Sequence, residues 1–353
     1  MRKLAVAGCG YWGPNLIRNF NALPDCEVRS ICDRDTARLD HMKELYPQVQ
    51  TSTEYTDLIE DKEIEAIVIA TPVSLHYGMA RRALEAGKHV FIEKPMASSS
   101  LECQVLIELA EEGNRTLMIG HTFLYTPVVQ KIKEIVDSGE LGEIFYISSR
   151  RLNLGLFQKD INVAWDLAPH DLSIILYLFG ETPVSVNCQG QAHICEGIED
   201  ITNMTLTFEN GRMATIQSSW LDPNKVREMT IVGSKKMLVY DDLASNDKIK
   251  IYDKRVEAPP HYDTFAEFQY AYHYGDMYAP HVQQVEPLRV ECRHFLDSIE
   301  MEMEPRSSGR KGMEVVQILE ASSRSLHDEG AAIYLSDRIS ENVTPPTLVK
   351  MTG

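Results

Sequence analysis

The 353-residue chain is 44% hydrophobic and 25% charged, an ordinary globular composition at about twice the usual size of one domain, so two domains are expected. Its formal net charge of −17 argues against a nucleic-acid partner, which needs a basic footprint, but not against a phosphorylated small molecule held by local arginines or a helix end. The longest apolar stretches, such as residues 64–71, have strand length and fall short of the ~20 residues a membrane helix requires. With an N-terminal apolar run that stops at glycines, the chain reads as cytoplasmic and without a membrane partner. Seven scattered cysteines without a Cys-x-x-Cys pair indicate neither a zinc site nor a disulfide framework, so no metal is expected.

Residues 3–7 form an apolar run ahead of Gly8-Cys9-Gly10-Tyr11-Trp12-Gly13, and Pro14 stands where a helix would begin, with Leu16, Ile17 and Phe20 at helical spacing. Strand, G-x-G-x-x-G and helix in that order are the setting of the dinucleotide fingerprint. Gly8 allows the tight turn, Gly10 the approach of the backbone to a pyrophosphate, and Gly13 the close packing of helix on strand. Tyr11 and Trp12 fill the turn between them. The next apolar run, 28–32, ends in Asp33, 20 residues beyond Gly13, where a carboxylate would meet the ribose hydroxyls and repel a 2′-phosphate. NAD is therefore expected over NADP, although the neighbouring Arg34 could accommodate the phosphate.

The alternation continues with a short helix at 53–59, a strand at 66–70, a helix at 76–86, a strand at 88–93, a helix at 101–112 and a strand at 116–120. Strands separated by helices of this length predict a doubly wound parallel sheet, with ligands bound beyond the carboxyl ends of its strands. Thr71, Pro72, Glu93, Lys94 and His121 then share one rim with the glycine turn. A helix at 127–138 and another at 167–178 are followed or flanked by strands at 143–152, 185–193, 202–209, 213–221, 228–232, 236–240 and 248–252 without intervening helices. This predicts an open, largely antiparallel sheet in an α+β domain. The domains are placed at 1–124 for cofactor and 125–353 for substrate and oligomerisation. One sheet face carries enough apolar material to predict a homodimer or homotetramer. The stretch 259–287 is rich in Tyr and His and reads as an irregular loop rather than a metal site.

Together, the N-terminal glycine fingerprint, Ala70-Thr71-Pro72 with His76 following, Glu93-Lys94-Pro95, the Asp166-Leu167-Ala168-Pro169-His170-Asp171 element and the 309–323 region resemble the glucose–fructose oxidoreductase/inositol dehydrogenase (Gfo/Idh/MocA) family in order and over nearly the whole chain. The resemblance implies that Lys94 and His170 form a catalytic pair assisted by Asp166, with His76 a further candidate at the cofactor. The residue types suit the chemistry, because His170 can take a hydroxyl proton while Lys94 hydrogen-bonds the oxygen becoming a carbonyl. Asp166 would lie one turn before His170, orienting the ring, binding a hydroxyl, or only capping the helix. The stretch Gly120-His121-Thr122-Phe123-Leu124-Tyr125 departs from the Asn-x-Arg-like pattern of many relatives. Residues 150–157 and Trp165-Asp166 look more like relatives from surface-polysaccharide pathways, several of which oxidise the 3-hydroxyl of nucleotide-linked N-acetylated sugars. His121, Arg151, Asn153 and Trp165 are then candidates for substrate contact, and Arg150 and Arg151 could offer guanidinium forks to a diphosphate or form surface ion pairs. The expectation is an NAD-dependent dehydrogenase of a nucleotide-activated sugar. A dehydrogenase of a free sugar, amino sugar or inositol is one alternative, and a non-catalytic cofactor-binding regulator another.

Overall fold

The computed structural model describes residues 1–257 and 271–335. Its first sheet comprises β1 (Arg2–Ala7), β2 (Cys26–Cys32), β3 (Gln50–Ser52), β4 (Ala66–Ile69), β5 (His89–Glu93) and β6 (Leu117–Gly120), ordered β3-β2-β1-β4-β5-β6 and parallel throughout. Helices α1 (Gly13–Asn21), α2 (Thr36–Leu45), α3 (Tyr55–Glu60), α4 (Val73–Glu85) and α5 (Ser100–Glu112) make the crossovers. The strand order reverses between β1 and β4, and that switch point opens a crevice beyond the strands' carboxyl ends. Every residue of β4 and β6 is buried, as parallel strands covered by helices on both faces require.

Two elements here lack a sequence signal. α2 buries only Leu39 and Met42, too few for visible amphipathic periodicity, and β3 is three residues long with no buried side chain. α2 is instead started by its cap, where the Asp35 carboxylate accepts from the Ala37 amide at 3.0 Å.

A 3-10 turn (Thr122–Tyr125) leads into α6 (Pro127–Asp137), β7 (Ile144–Leu154) and α7 (Val163–Phe179), and then into β8 (Ser185–Gln191), β9 (Ile201–Thr207), β10 (Met213–Ser219), β11 (Leu221–Gly233), β12 (Met237–Asp241) and β13 (Ile249–Glu257). β14 (Ala271–Tyr278), α8 (Pro287–Glu300), α9 (Gly309–His327) and β15 (Ile333–Tyr334) complete the described chain. The second sheet runs β14-β13-β12-β11-β7-β10-β9-β8-β15 and is antiparallel except where β7 and β10 pair in parallel. The predicted fold class therefore holds, with one mixed pairing added. Part of the stretch expected to be an irregular loop is β14, which extends the sheet edge beside β13; its alternation of exposed aromatics hides the strand pattern. Residues 258–270 lie outside the described residues.

One buried apolar cluster connects the two sheets, running from Leu16 and Phe20 through Tyr125 and Val129 to Leu172, Ile175 and Leu206. α8, for which the sequence shows no separate signal, returns to the first domain. Its Phe295 meets Phe20 and Phe91 edge-on at 6.2 and 5.7 Å, a favourable aromatic geometry. The elements of the two sheets are thus held by shared packing, which sets α7 against the rim of the first sheet.

Candidate active site

The glycine turn is tight enough to exclude side chains. A Cβ on Gly8, whose φ is +99°, would stand 2.4 Å from the Ala70 carbonyl oxygen, and one on Gly13 would stand 1.9 Å from that of Gly8. At Gly10 the nearest atom to such a Cβ is Arg38 Nη1 at 3.6 Å, so this position stays open toward the crevice. Asp33 sits at the end of β2, its carboxylate accepting from the Cys9 amide at 2.6 Å and the Asp35 amide at 2.9 Å. The turn, the N-terminal end of α1 and the acidic residue beside them fit a dinucleotide's pyrophosphate and ribose. Tyr11 is 86% exposed and Trp12 39%, so both lie over the turn rather than in the core. Arg34 is exposed, whereas Arg38, absent from the sequence-based candidates, lies 3.8 Å from Asp33 and 3.3 Å from Asp35. Arg38 is one helical turn beyond Arg34, and only the path of α2 brings it to the ribose side.

His76 does not open its helix; it lies in the first turn of α4 and is buried. Its ring nitrogens stand 2.8 Å from the Pro95 carbonyl oxygen and 2.7 Å from that of Thr71. It therefore ties the Thr71-Pro72 rim to the Lys94-Pro95 rim, and burial holds its pKa down.

Lys94 leaves the end of β5 and reaches α7. Its Nζ donates to the Asp166 carbonyl oxygen at 2.9 Å and lies 3.7 Å from that residue's Oδ1. Burial lowers the Lys94 pKa, against the opposing pull of Asp166 and Glu93. Asp166 does not cap α7: Asn162 does, accepting from the Trp165 amide at 3.2 Å. That frees the Asp166 carboxylate, whose Oδ2 accepts from Trp220 Nε1 at 3.0 Å. His170, one turn on, is half-buried, with Nδ1 buried and unpartnered among the described residues. Phe123 packs on its ring at 4.9 Å between centroids. Burial, then Lys94 and Arg151, push the His170 pKa well below its ordinary value, so the ring is neutral at pH 7 and able to accept a proton.

Around this core the remaining candidates separate. His121 is buried close to Lys94, with both ring nitrogens unpartnered among the described residues. Trp165 turns its indole N–H to Ser323 Oγ at 2.9 Å, which docks α9 onto α7 instead of facing the cleft. Asn153 is half-buried on β7. Arg151 is not available as a fork for a diphosphate: it is 6% exposed and donates from Nε and Nη2 to both oxygens of Asp171 at 2.7 and 3.1 Å. Arg150 belongs to the opposite sheet face, because neighbouring strand residues alternate. The cation that does share the Arg151 face is Arg227 of β11, paired with Arg151 across the strands and 6.0 Å from the Phe123 ring.

Two buried carboxyls complete the neighbourhood. Glu93 is pushed up to about 7 by burial, and Gly120 is required beside it, since a Cβ there would come within 3.1 Å of its carboxyl. Glu291 of α8 accepts from Thr122 Oγ1 at 2.7 Å and is raised well above the ordinary range by burial and by Glu93. A single Glu on an otherwise unremarkable helix carries no signal that would have identified it.

Two family models cover this architecture: an oxidoreductase family with an NAD-binding Rossmann fold over residues 2–121 and the GFO/IDH/MocA C-terminal domain over residues 129–239. The chain belongs to the Gfo/Idh/MocA oxidoreductase family. It is 31% identical over 201 residues to a UDP-N-acetylglucosamine 3-dehydrogenase of Acidithiobacillus ferrooxidans, covering 56% of this chain and 61% of that one. It is 29% identical over 184 residues to an inositol 2-dehydrogenase of Salmonella typhimurium, covering 51% and 55%. The crystal structure of an oxidoreductase from Magnetospirillum magnetotacticum matches with a TM-score of 0.77 at 27% identity, over 91% of this chain and 99% of that one. The two matched segments include Lys94 and His170.

The buried pair Arg151–Asp171, joined by Ser149 Oγ donating to Asp171 at 2.9 Å, anchors α7 next to His170. Removing one partner strands the other charge, so Arg151→Ala should cost about 3–5 kcal/mol of stability. Chemical denaturation should show this loss, while dinucleotide affinity in the folded fraction stays near wild type.

Proposed function

We propose that the protein oxidises a secondary hydroxyl, at C3, of a nucleotide-activated sugar such as a UDP-N-acetylhexosamine or its uronic acid, with NAD as the oxidant. The observation that carries the reaction type is the meeting of Lys94, Asp166 and a neutral, half-buried His170 at the rim of a dinucleotide-binding sheet. The likeness to a UDP-N-acetylglucosamine 3-dehydrogenase supports the sugar class; the likeness to an inositol 2-dehydrogenase keeps a free polyol as the second reading.

NAD bound at the Gly8–Gly13 turn would supply the hydride acceptor. The chain's own residues then handle the oxygen and its proton. His170 takes the hydroxyl proton. Lys94, desolvated and held by the Asp166 carbonyl oxygen, donates a hydrogen bond to the oxygen as the carbonyl forms. The Trp220 indole N–H fixes the Asp166 carboxylate, which counterbalances the Lys94 charge and can accept from a second sugar hydroxyl. Arg227, on the same sheet face as Arg151, is the cation placed to meet a diphosphate.

Lys94→Ala and His170→Ala should each lower kcat by roughly 10²–10⁴ on UDP-N-acetylglucosamine or its uronic acid, with NAD binding little changed. The double variant should lose less than the product of the single losses, because both groups serve one proton transfer. Because His170 titrates below the ordinary histidine value, it stays unprotonated down through pH 6.5, so the acid limb of kcat/KM should lie below that value. Retention of more than about a third of wild-type kcat in either single variant would remove the proton-transfer assignment.

The Asp33 carboxylate at the ribose end favours NAD. Fluorescence titration should give tighter binding of NADH than NADPH, and Asp33→Ala should narrow the gap; a wild-type preference for NADPH would reverse the assignment, with Arg38 the residue that could supply it.

The second sheet leaves Tyr146, Met213 and Met277 exposed on one face, an apolar surface that supports a homodimer or homotetramer. Light scattering at micromolar concentration should show an assembly of at least twice the 40.0 kDa chain mass; a monomer would count against this interface.

A further inference from the structure

The face of α7 that carries Asp166 and His170 continues, at helical spacing, through Ser173, Tyr177 and Gly180. Along that continuation lies a cavity of about 300 Å³, the lower end of the range for small-molecule sites, and its lining includes none of Lys94, Asp166 and His170. His121 lines it. The ring is 1% exposed, and neither nitrogen has a hydrogen-bond partner among the described residues. Burial, with Lys94 adding to it, holds the ring's pKa down at about 3. The ring is therefore neutral and offers one N–H donor and one lone pair, both unused. Buried polar groups are almost always paired, so this orphan ring marks a place where a partner belongs.

The cavity's charge is one-sided. Lys133 of α6, Arg306 ahead of α9 and Lys311 of α9 line it, and no Asp or Glu does so among the described residues, in a chain of net charge −17. The ion pair of each lysine runs along its own helix, Lys133 with Asp137 and Lys311 with Glu314, and Lys133 also lies 5.7 Å from the Tyr177 ring centroid. Such exposed pairs are weak and give way readily to a better partner. Arg306 is fixed by donating to the Leu124 carbonyl oxygen at 3.1 Å and by lying 5.1 Å from the Tyr125 ring. The remaining wall is apolar, built from Leu124, Leu176 and Val315.

We propose that this cavity binds a small organic anion, a phosphate or carboxylate head on a compact apolar body, at a site lined by none of Lys94, Asp166 and His170. The head meets Lys133, Lys311 and Arg306; the body displaces water from the aliphatic wall; the His121 ring supplies the hydrogen bond at the buried end. An inorganic anion uses only the cations, and a neutral aromatic only the wall, so neither satisfies the whole cavity.

The test is calorimetric titration of the NADH-saturated protein, whose pyrophosphate-binding turn is already filled, with phenyl phosphate and with benzoate at low ionic strength. One saturable site is expected for at least one probe at ~0.1–1 mM, and the tighter of the two identifies the head group. Inorganic phosphate should bind about tenfold more weakly, because it lacks the apolar body. The double variant Lys133→Gln/Lys311→Gln should weaken the probe by about tenfold or more while melting temperature and NADH affinity hold. His121→Phe, which keeps an aromatic ring without its hydrogen bonds, should weaken it as well. Absence of saturable heat for both probes up to ~10 mM overturns the proposal, as does equal binding by wild type and the double variant. No turnover is read, so the result stands whatever sugar the cleft accepts.

Discussion

The structure turns on how α7 is held. Its residues Asp166, His170 and Asp171 face three different partners, and the buried bidentate contact between Arg151 and Asp171 fixes the helix's rotation against β7. An ion pair removed from water is tolerable only when each lone pair and N–H finds a partner, and here Ser149 takes part as well. With that rotation set, Asp166 presents its carbonyl oxygen to Lys94 across the gap between the sheets. Lys94 is thus oriented by a helix packed on the other sheet. α8 strengthens the same join from below, through the Phe20, Phe91 and Phe295 cluster.

Much of this was legible in the sequence because it is written in short-range chemistry. The Gly8–Gly13 turn and the spacing to Asp33 are dictated by steric limits on the backbone, so they survive as a pattern of residue types. Lys94, Asp166 and His170 were visible as a family resemblance, and the Lys94–Asp166 contact then follows from the fold. What stayed hidden depends on long-range register. Arg151 and Arg150 read as an equivalent pair, but β-strand alternation sends them to opposite faces, and the partner of Arg151 lies 20 positions away on a helix. Arg227 joins the site only through the β11–β7 register. Asp166 looked like a cap because the true cap, Asn162, lies four residues earlier behind Val163 and Ala164, which carry no helical signal of their own.

β14 was missed for a different reason. An edge strand with one exposed face after another has no buried alternation to show, and its Tyr and His content imitates a recognition loop. α2 and β3 fail similarly: where an element buries little, packing supplies little pattern, and the cap at Asp35 is the only local instruction.

The charge balance at the base of the site follows from burial. Burial raises the pKa of both Glu93 and Glu291, and Glu93 adds to the cost of ionising Glu291. Burial of both carboxyls opposes a double negative charge there. Asp166 is the larger counter-charge for Lys94, ahead of the nearer-in-sequence Glu93. That assignment explains why the Asp166 carboxylate is held by the Trp220 indole instead of being left free to rotate: a carboxylate that must balance a desolvated ammonium works best when its position is fixed. Burial keeps His170 neutral, and the field of Lys94, Arg151 and Arg227 adds to it, so a further positive charge is disfavoured there until substrate brings a proton that has to be taken.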